Sequence, residues 1–80
     1  MNYAVGDMVK FKWWSPYKAP STCTDSTGHL IWKEIFPAEL GIVIQLDDGT
    51  NTNTLVIFFS RINMMLKINE NMLEKVNIVI

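Results

Sequence analysis

Two stretches decide the fold: Val5-Gly6-Asp7-Met8-Val9-Lys10-Phe11-Lys12-Trp13-Trp14 and Gly41-Ile42-Val43-Ile44-Gln45-Leu46. In the first, Val9, Phe11 and Trp13 alternate with Lys10, Lys12 and Trp14, the period-two pattern of a half-buried strand. Gly6-Asp7 supplies the turn that feeds this strand, and Pro16 ends it. In the second, β-branched residues follow a glycine, which reads as another strand over Leu40 to Leu46. Alternation there places Ile42, Ile44 and Leu46 inward, with Val43 and Gln45 outward.

Working outward, Asp47-Asp48-Gly49-Thr50-Asn51 has the residues a hairpin turn needs, since Asp, Asn and Gly tolerate a left-handed backbone. Thr54 to Phe59 follows as a strand apolar on both faces, with Leu55, Ile57 and Phe59 against Val56 and Phe58. Such a strand is covered on both sides, and its pattern leaves open which of Val56 and Ile57 points inward. After a tight turn at Ser60 to Asn63, Met64, Leu66 and Ile68 alternate with Met65 and Lys67. Asn69 then caps a single 3₁₀ turn within Asn69 to Glu74, and Val76, Ile78 and Ile80 mark a last strand.

Between the first two strands, Ser15 to Glu39 is a long loop holding all three prolines and the polar tip Ser21 to Gly28. Its flanks are apolar: Trp14 and Tyr17 before the tip, and Leu30, Ile31, Trp32, Ile35 and Phe36 after it. Those flanks are expected to fold back on each other as an irregular hairpin, leaving the tip in water. There is no internal repeat and no linker. Residues 1–80 form a single domain.

Hydrophobic residues make up 49% of the chain and charged ones only 19%, against an average charged share of about 25%. That leaves more apolar side chains than so small a domain can hide, and a partner or a second copy is the natural place for the surplus. The net charge of −1 lacks the global footprint of a nucleic-acid binder. One cysteine, Cys23, and one histidine, His29, give no internal disulfide and no self-sufficient zinc site. No cofactor is expected. Without a signal-like leader or an apolar run long enough to cross a bilayer, the expectation is a cytoplasmic chain that is not membrane-bound. Abundant Ile, Asn, Lys and Met suit an A+T-rich genome.

Strand, long loop, strand, turn, strand, tight turn, strand, 3₁₀ turn, short strand is an order that resembles the SH3-like barrel. It is similar in particular to small stand-alone barrels of uncharacterised phage and marine environmental proteins. Val5-Gly6-Asp7-Met8-Val9, Gly41-Ile42-Val43 and Met72-Leu73-Glu74 carry the likeness. The resemblance implies an all-β, five-stranded barrel of phage or bacterial origin, closed around one core. Tudor, KOW and chromo-like barrels share this skeleton with unrelated ligands, so the fold alone assigns no function. The chain departs from signalling SH3 domains because its Trp13-Trp14 pair sits in the first strand and its first loop is neutral rather than acidic. Polyproline binding is therefore not carried over.

Two surfaces emerge as candidates. The first is an outer apolar face of Val43, Val56, Phe58 and Met65 beside an aromatic cluster of Trp14, Tyr17, Trp32 and Phe36. It is suited to a protein partner or a homodimer, because aromatic residues dominate binding hot spots. The second is a nucleic-acid surface of Tudor or KOW type made by Lys10, Lys12, Trp14, Arg61 and Lys67, where a ring flanked by cations could stack a base. Cys23, Asp25 and His29 lie in a segment whose composition reads as a solvated loop. Asp47 and Asp48 read as a turn, and Glu34 and Glu39 flank Pro37 with no partner acid. With no phosphate loop, HExxH pair or nucleophile elbow, the chain reads as non-enzymatic.

Overall fold

The computed structural model describes residues 3–46 and 53–76. These form β1 (Met8–Phe11), β2 (Tyr17–Thr24), β3 (Leu30–Ile35), β4 (Leu40–Gln45), β5 (Thr54–Phe59), β6 (Met64–Asn69), a 3₁₀ turn (Glu70–Met72) and β7 (Leu73–Lys75). The chain is all-β, as expected, but among the described residues the strands number seven and lie in one open antiparallel sheet, in the order β3-β2-β6-β5-β4-β1-β7. The two additional strands are the flanks of the long first loop, which pair with each other as an irregular hairpin. Its register shifts between Pro20 and Thr24. A proline has no N–H for a ladder, so a bulge is where a strand tolerates one. Ser21, inside that bulge, is buried, and its hydroxyl donates to the Cys23 carbonyl and accepts from the Cys23 N–H, both at 3.1 Å.

One face of the sheet carries the core. Val9 and Phe11 of β1, Val43 of β4, Leu55, Ile57 and Phe59 of β5, and Leu66 and Ile68 of β6 are fully buried together, with Ala19, Ile35 and Leu73. β1, β5 and β6 contribute alternate residues, as a pleated sheet with one covered face requires. β4 and β5 approach closely at Gly41: a Cβ there would run into the side chain of Ile57 and lie 3.0 Å from the Phe59 ring. Glycine at this position vacates space that the two larger residues fill.

The strand predicted for Leu40 to Leu46 exists, but over Ile42, Val43 and Ile44 its inward side is the opposite one, while Leu46 faces the core and Gln45 lies outside as expected. Val43 is completely buried, while Ile44 is 42% exposed. The ladder pairs Val43 with Ile57 and Gln45 with Val56, so Ile44 is an extra residue in a bulge. Val43 and Leu46 both turn to the core although they are three residues apart, which a strand without a bulge could not achieve. In β5 the register left open by the sequence resolves with Leu55, Ile57 and Phe59 inside.

β1 stops at Phe11, short of Trp14. The Phe11 and Lys12 N–H groups donate to the carbonyls of Glu39 and Met72, after which the chain bends away and leaves Trp13 partly exposed. The 3₁₀ turn is capped as expected, with the Asn69 side chain accepting from the Asn71 N–H at 2.9 Å. β7 takes residues that the sequence pattern assigns to the 3₁₀ segment, Leu73 and Glu74, and pairs with β1, Phe11 opposite Leu73. The predicted Asp47 to Asn51 turn and the strand positions Ile78 and Ile80 lie outside the described residues.

Candidate docking surface

The face of the sheet turned away from the core is apolar across four strands. Ladder register sets Met8 of β1 opposite Ile42 of β4, Ile42 opposite Phe58 of β5, and Phe58 opposite Met65 of β6. Directly opposed residues in an antiparallel ladder point to the same face, so these four side chains form one continuous row. None of the four is fully buried, and Leu40 and Ile44 extend the patch along β4. A depression of about 260 Å³ lies within it, lined by Met8, Leu40, Gly41, Ile42, Phe58 and Ser60. That is below the range of about 300–1,000 Å³ usual for small-molecule pockets and fits a large side chain of a partner better.

Of the four residues assigned to this face from the sequence, Phe58 and Met65 are on it. Val43 is not, because the phase of β4 turns it into the core. Val56 does point to the outer side, but it is only 4% exposed, set in register between Gln45 and Lys67, so it offers a partner little surface. Sequence reasoning missed Met8, Leu40 and Ile42. The pairing Met8–Ile42 was accessible only through the register, which no local pattern encodes.

The aromatic residues do not gather into one cluster. Trp14, 78% exposed, stacks on its neighbour Trp13 with ring centroids 4.4 Å apart, whereas Tyr17 stacks on Phe11 at 6.1 Å. Trp32 is opposite Pro20 in the hairpin. Alternation puts Trp32 on the other face of the hairpin from Tyr17, which sits in register with Ile35. Phe36 lies under the Arg61 guanidinium, 4.8 Å from ring centroid to cation carbon. No ring contact joins Trp14, Tyr17, Trp32 and Phe36 to one another among the described residues.

The cations of the second candidate surface divide into engaged and unengaged groups. Lys10 pairs with Glu74 at 2.9 Å, and this bond holds the Glu74 carboxyl below its ordinary range. Arg61 is held by Glu39 and also donates to the Glu34 carbonyl at 2.7 Å. Its Nε and Nη2 are thus engaged by protein groups, although the side chain is 46% exposed. Lys12 and Lys67 have no ion pair among the described residues.

At the hairpin tip, Asp25 Oδ1 accepts from the Thr27 hydroxyl at 2.6 Å, the Thr27 N–H at 2.9 Å and the His29 N–H at 3.0 Å. These bonds, the hydroxyl first, hold the carboxyl below its ordinary range. They are the bonds of an Asx-type turn, in which Asp organises its own backbone. Cys23 is exposed, and no group of three or more His, Cys, Asp or Glu side chains among the described residues is placed to hold a metal.

No family model matches the chain, and neither the curated proteins nor the solved structures contain a match.

Proposed function

We propose that this chain is a non-enzymatic interaction module on an SH3-like barrel framework, docking through its outer sheet face onto a protein surface, in the simplest case a second copy. The framework is supported by strand order, with the last strand beside the first, a β4-β5-β6 meander, and a 3₁₀ turn before the final strand. The observation that carries the function is the continuous row Met8–Ile42–Phe58–Met65, in which Met65 is exposed and the other three are partly exposed. A contiguous apolar patch of this kind is what monomeric surfaces avoid and interfaces use. The lone exposed Cys23 fits a reducing cytoplasm, of a bacterium or of a phage-infected host.

Molecular mass by light scattering over a concentration series tests this reading. The wild-type chain should associate as concentration rises, and Phe58→Glu should hold it monomeric, because a carboxylate in a desolvated apolar contact has no partner. A mass that ignores Phe58→Glu refutes the reading.

One observation favours a second reading, a Tudor- or KOW-like nucleic-acid binder: Trp14, the most exposed of the described large apolar side chains, follows by two residues Lys12, which makes no ion pair among the described residues. Single-strand binding that weakens steeply with salt and is lost in Trp14→Ala would establish it.

A further inference from the structure

We propose that Met65 and Met8 are oxidation sites through which a peroxide switches the docking face off, an inference that rests on the outer face being a docking surface. The two thioethers occupy opposite ends of one cross-strand row, with Ile42 and Phe58 between them. Met65 is 37% exposed, and Met8 is partly exposed and lines the depression. The other described methionines, Met64 and Met72, are partly exposed like Met8 but stand outside the row: Met72 packs against the core, and Met64 is opposite Phe59, a residue of the buried side. Reagent in water therefore reaches the row from its two ends.

The chemistry is a two-electron transfer of one oxygen atom. The thioether sulfur attacks one peroxide oxygen and the O–O bond breaks. An S=O bond forms, the sulfur is oxidised, and the peroxide is reduced to water, or to an alcohol if it was an alkyl peroxide. The sulfoxide turns a flexible apolar side chain into a strongly dipolar one. At both ends of a row that associates by excluding water, that dipole must either stay hydrated, which holds the surfaces apart, or be buried without a donor. Methionine sulfoxide reductases reverse the change, so the face would be restored without new synthesis. The cysteine plays no part, since Cys23 lies on β2, outside the row.

The test treats the intact protein with hydrogen peroxide, maps oxygen uptake by peptide mass spectrometry, and measures solution mass on the same samples. Met65, the exposed one of the four, should gain oxygen before Met64 and Met72, and association should weaken about tenfold or more once Met65 and Met8 are oxidised, equivalent to about 1.4 kcal/mol or more. Reductase treatment should restore it. A Met8→Leu/Met65→Leu variant should associate like the wild type and be insensitive to peroxide. If Phe58→Glu dissociates the protein but oxidation at Met65 and Met8 leaves its mass unchanged, the switch is overturned and the docking face stands. If Phe58→Glu has no effect on mass, the docking face falls and the switch with it. Uptake at Met72 as fast as at Met65 also overturns it.

Discussion

Arg61 grips Glu39 with both arms of its fork, Nε donating to Oε2 at 2.8 Å and Nη2 to Oε1 at 3.0 Å. The same carboxylate accepts the Phe36 N–H at 3.0 Å. The arginine therefore ties the β5–β6 turn to the β3–β4 turn, at the base of the hairpin and next to Leu40 and Ser60 of the depression. Its partner is poorly hydrated: the Glu39 side chain is only 9% exposed in the pair. Removing the cation leaves a shielded carboxylate with one backbone donor, whereas lysine keeps the charge and loses the bidentate geometry. Thermal unfolding should rank wild type above Arg61→Lys, and Arg61→Lys above Arg61→Ala. Glu39→Gln/Arg61→Ala should recover part of the loss, because no orphaned charge remains. Equal midpoints for wild type and Arg61→Ala would show the clamp to be idle.

Ala38, in that same turn, sits at φ 67°, and its N–H donates to the Phe11 carbonyl at 2.9 Å. A Cβ in the left-handed region costs roughly 1 kcal/mol that glycine does not incur. Glycine also loosens the unfolded chain, which offsets part of the gain. Ala38→Gly should still stabilise the protein, by up to about 1 kcal/mol in urea unfolding. A lower midpoint would mean that the turn relaxes away from this conformation.

What the sequence could show divides along physical lines. The strands other than β7, the 3₁₀ turn, its Asn69 cap and the hairpin flanks were legible because each is encoded by near neighbours: alternation, turn residues, a capping side chain. The inward side of β4 was not. Gly41 occupies an inward position without a side chain to declare it, so Ile42, Ile44 and Leu46 outweighed Val43 in the pattern. The bulge at Ile44 then shifted the phase, and it has no periodic signature. The docking row was half legible for the same reason. Phe58 and Met65 stand out locally, while Met8 and Ile42 join them only through long-range register.

Paired substitutions test that corrected phase. Val43→Ala empties space in a fully buried site and should cost about 1–3 kcal/mol. Ile44→Ser, on the exposed residue of the bulge, should change stability by less than about 0.5 kcal/mol. If Ile44→Ser proves the more damaging of the two in chemical denaturation, β4 faces the other way.

Acid should weaken the β1–β7 side of the sheet through two carboxylates. Asp7 Oδ2 accepts the Ala4 N–H at 2.8 Å and meets Lys75 Nζ at 3.2 Å, and these contacts, the backbone donor first, hold its carboxyl below the ordinary range. Glu74 is held down in the same direction, chiefly by Lys10. A carboxyl whose pKa is lower in the folded state than in the unfolded chain stabilises folding above the unfolded value, about 4, and loses that contribution as pH falls through the folded value. Denaturation midpoints should therefore hold steady from neutral pH to about 5 and fall below about 4. Both groups are solvated, so the fall should be shallow and should shrink in high salt. Asp7→Asn/Glu74→Gln should start lower at neutral pH and show a flatter acid limb. An acid limb identical to that of the wild type would place the titrating groups elsewhere in the chain.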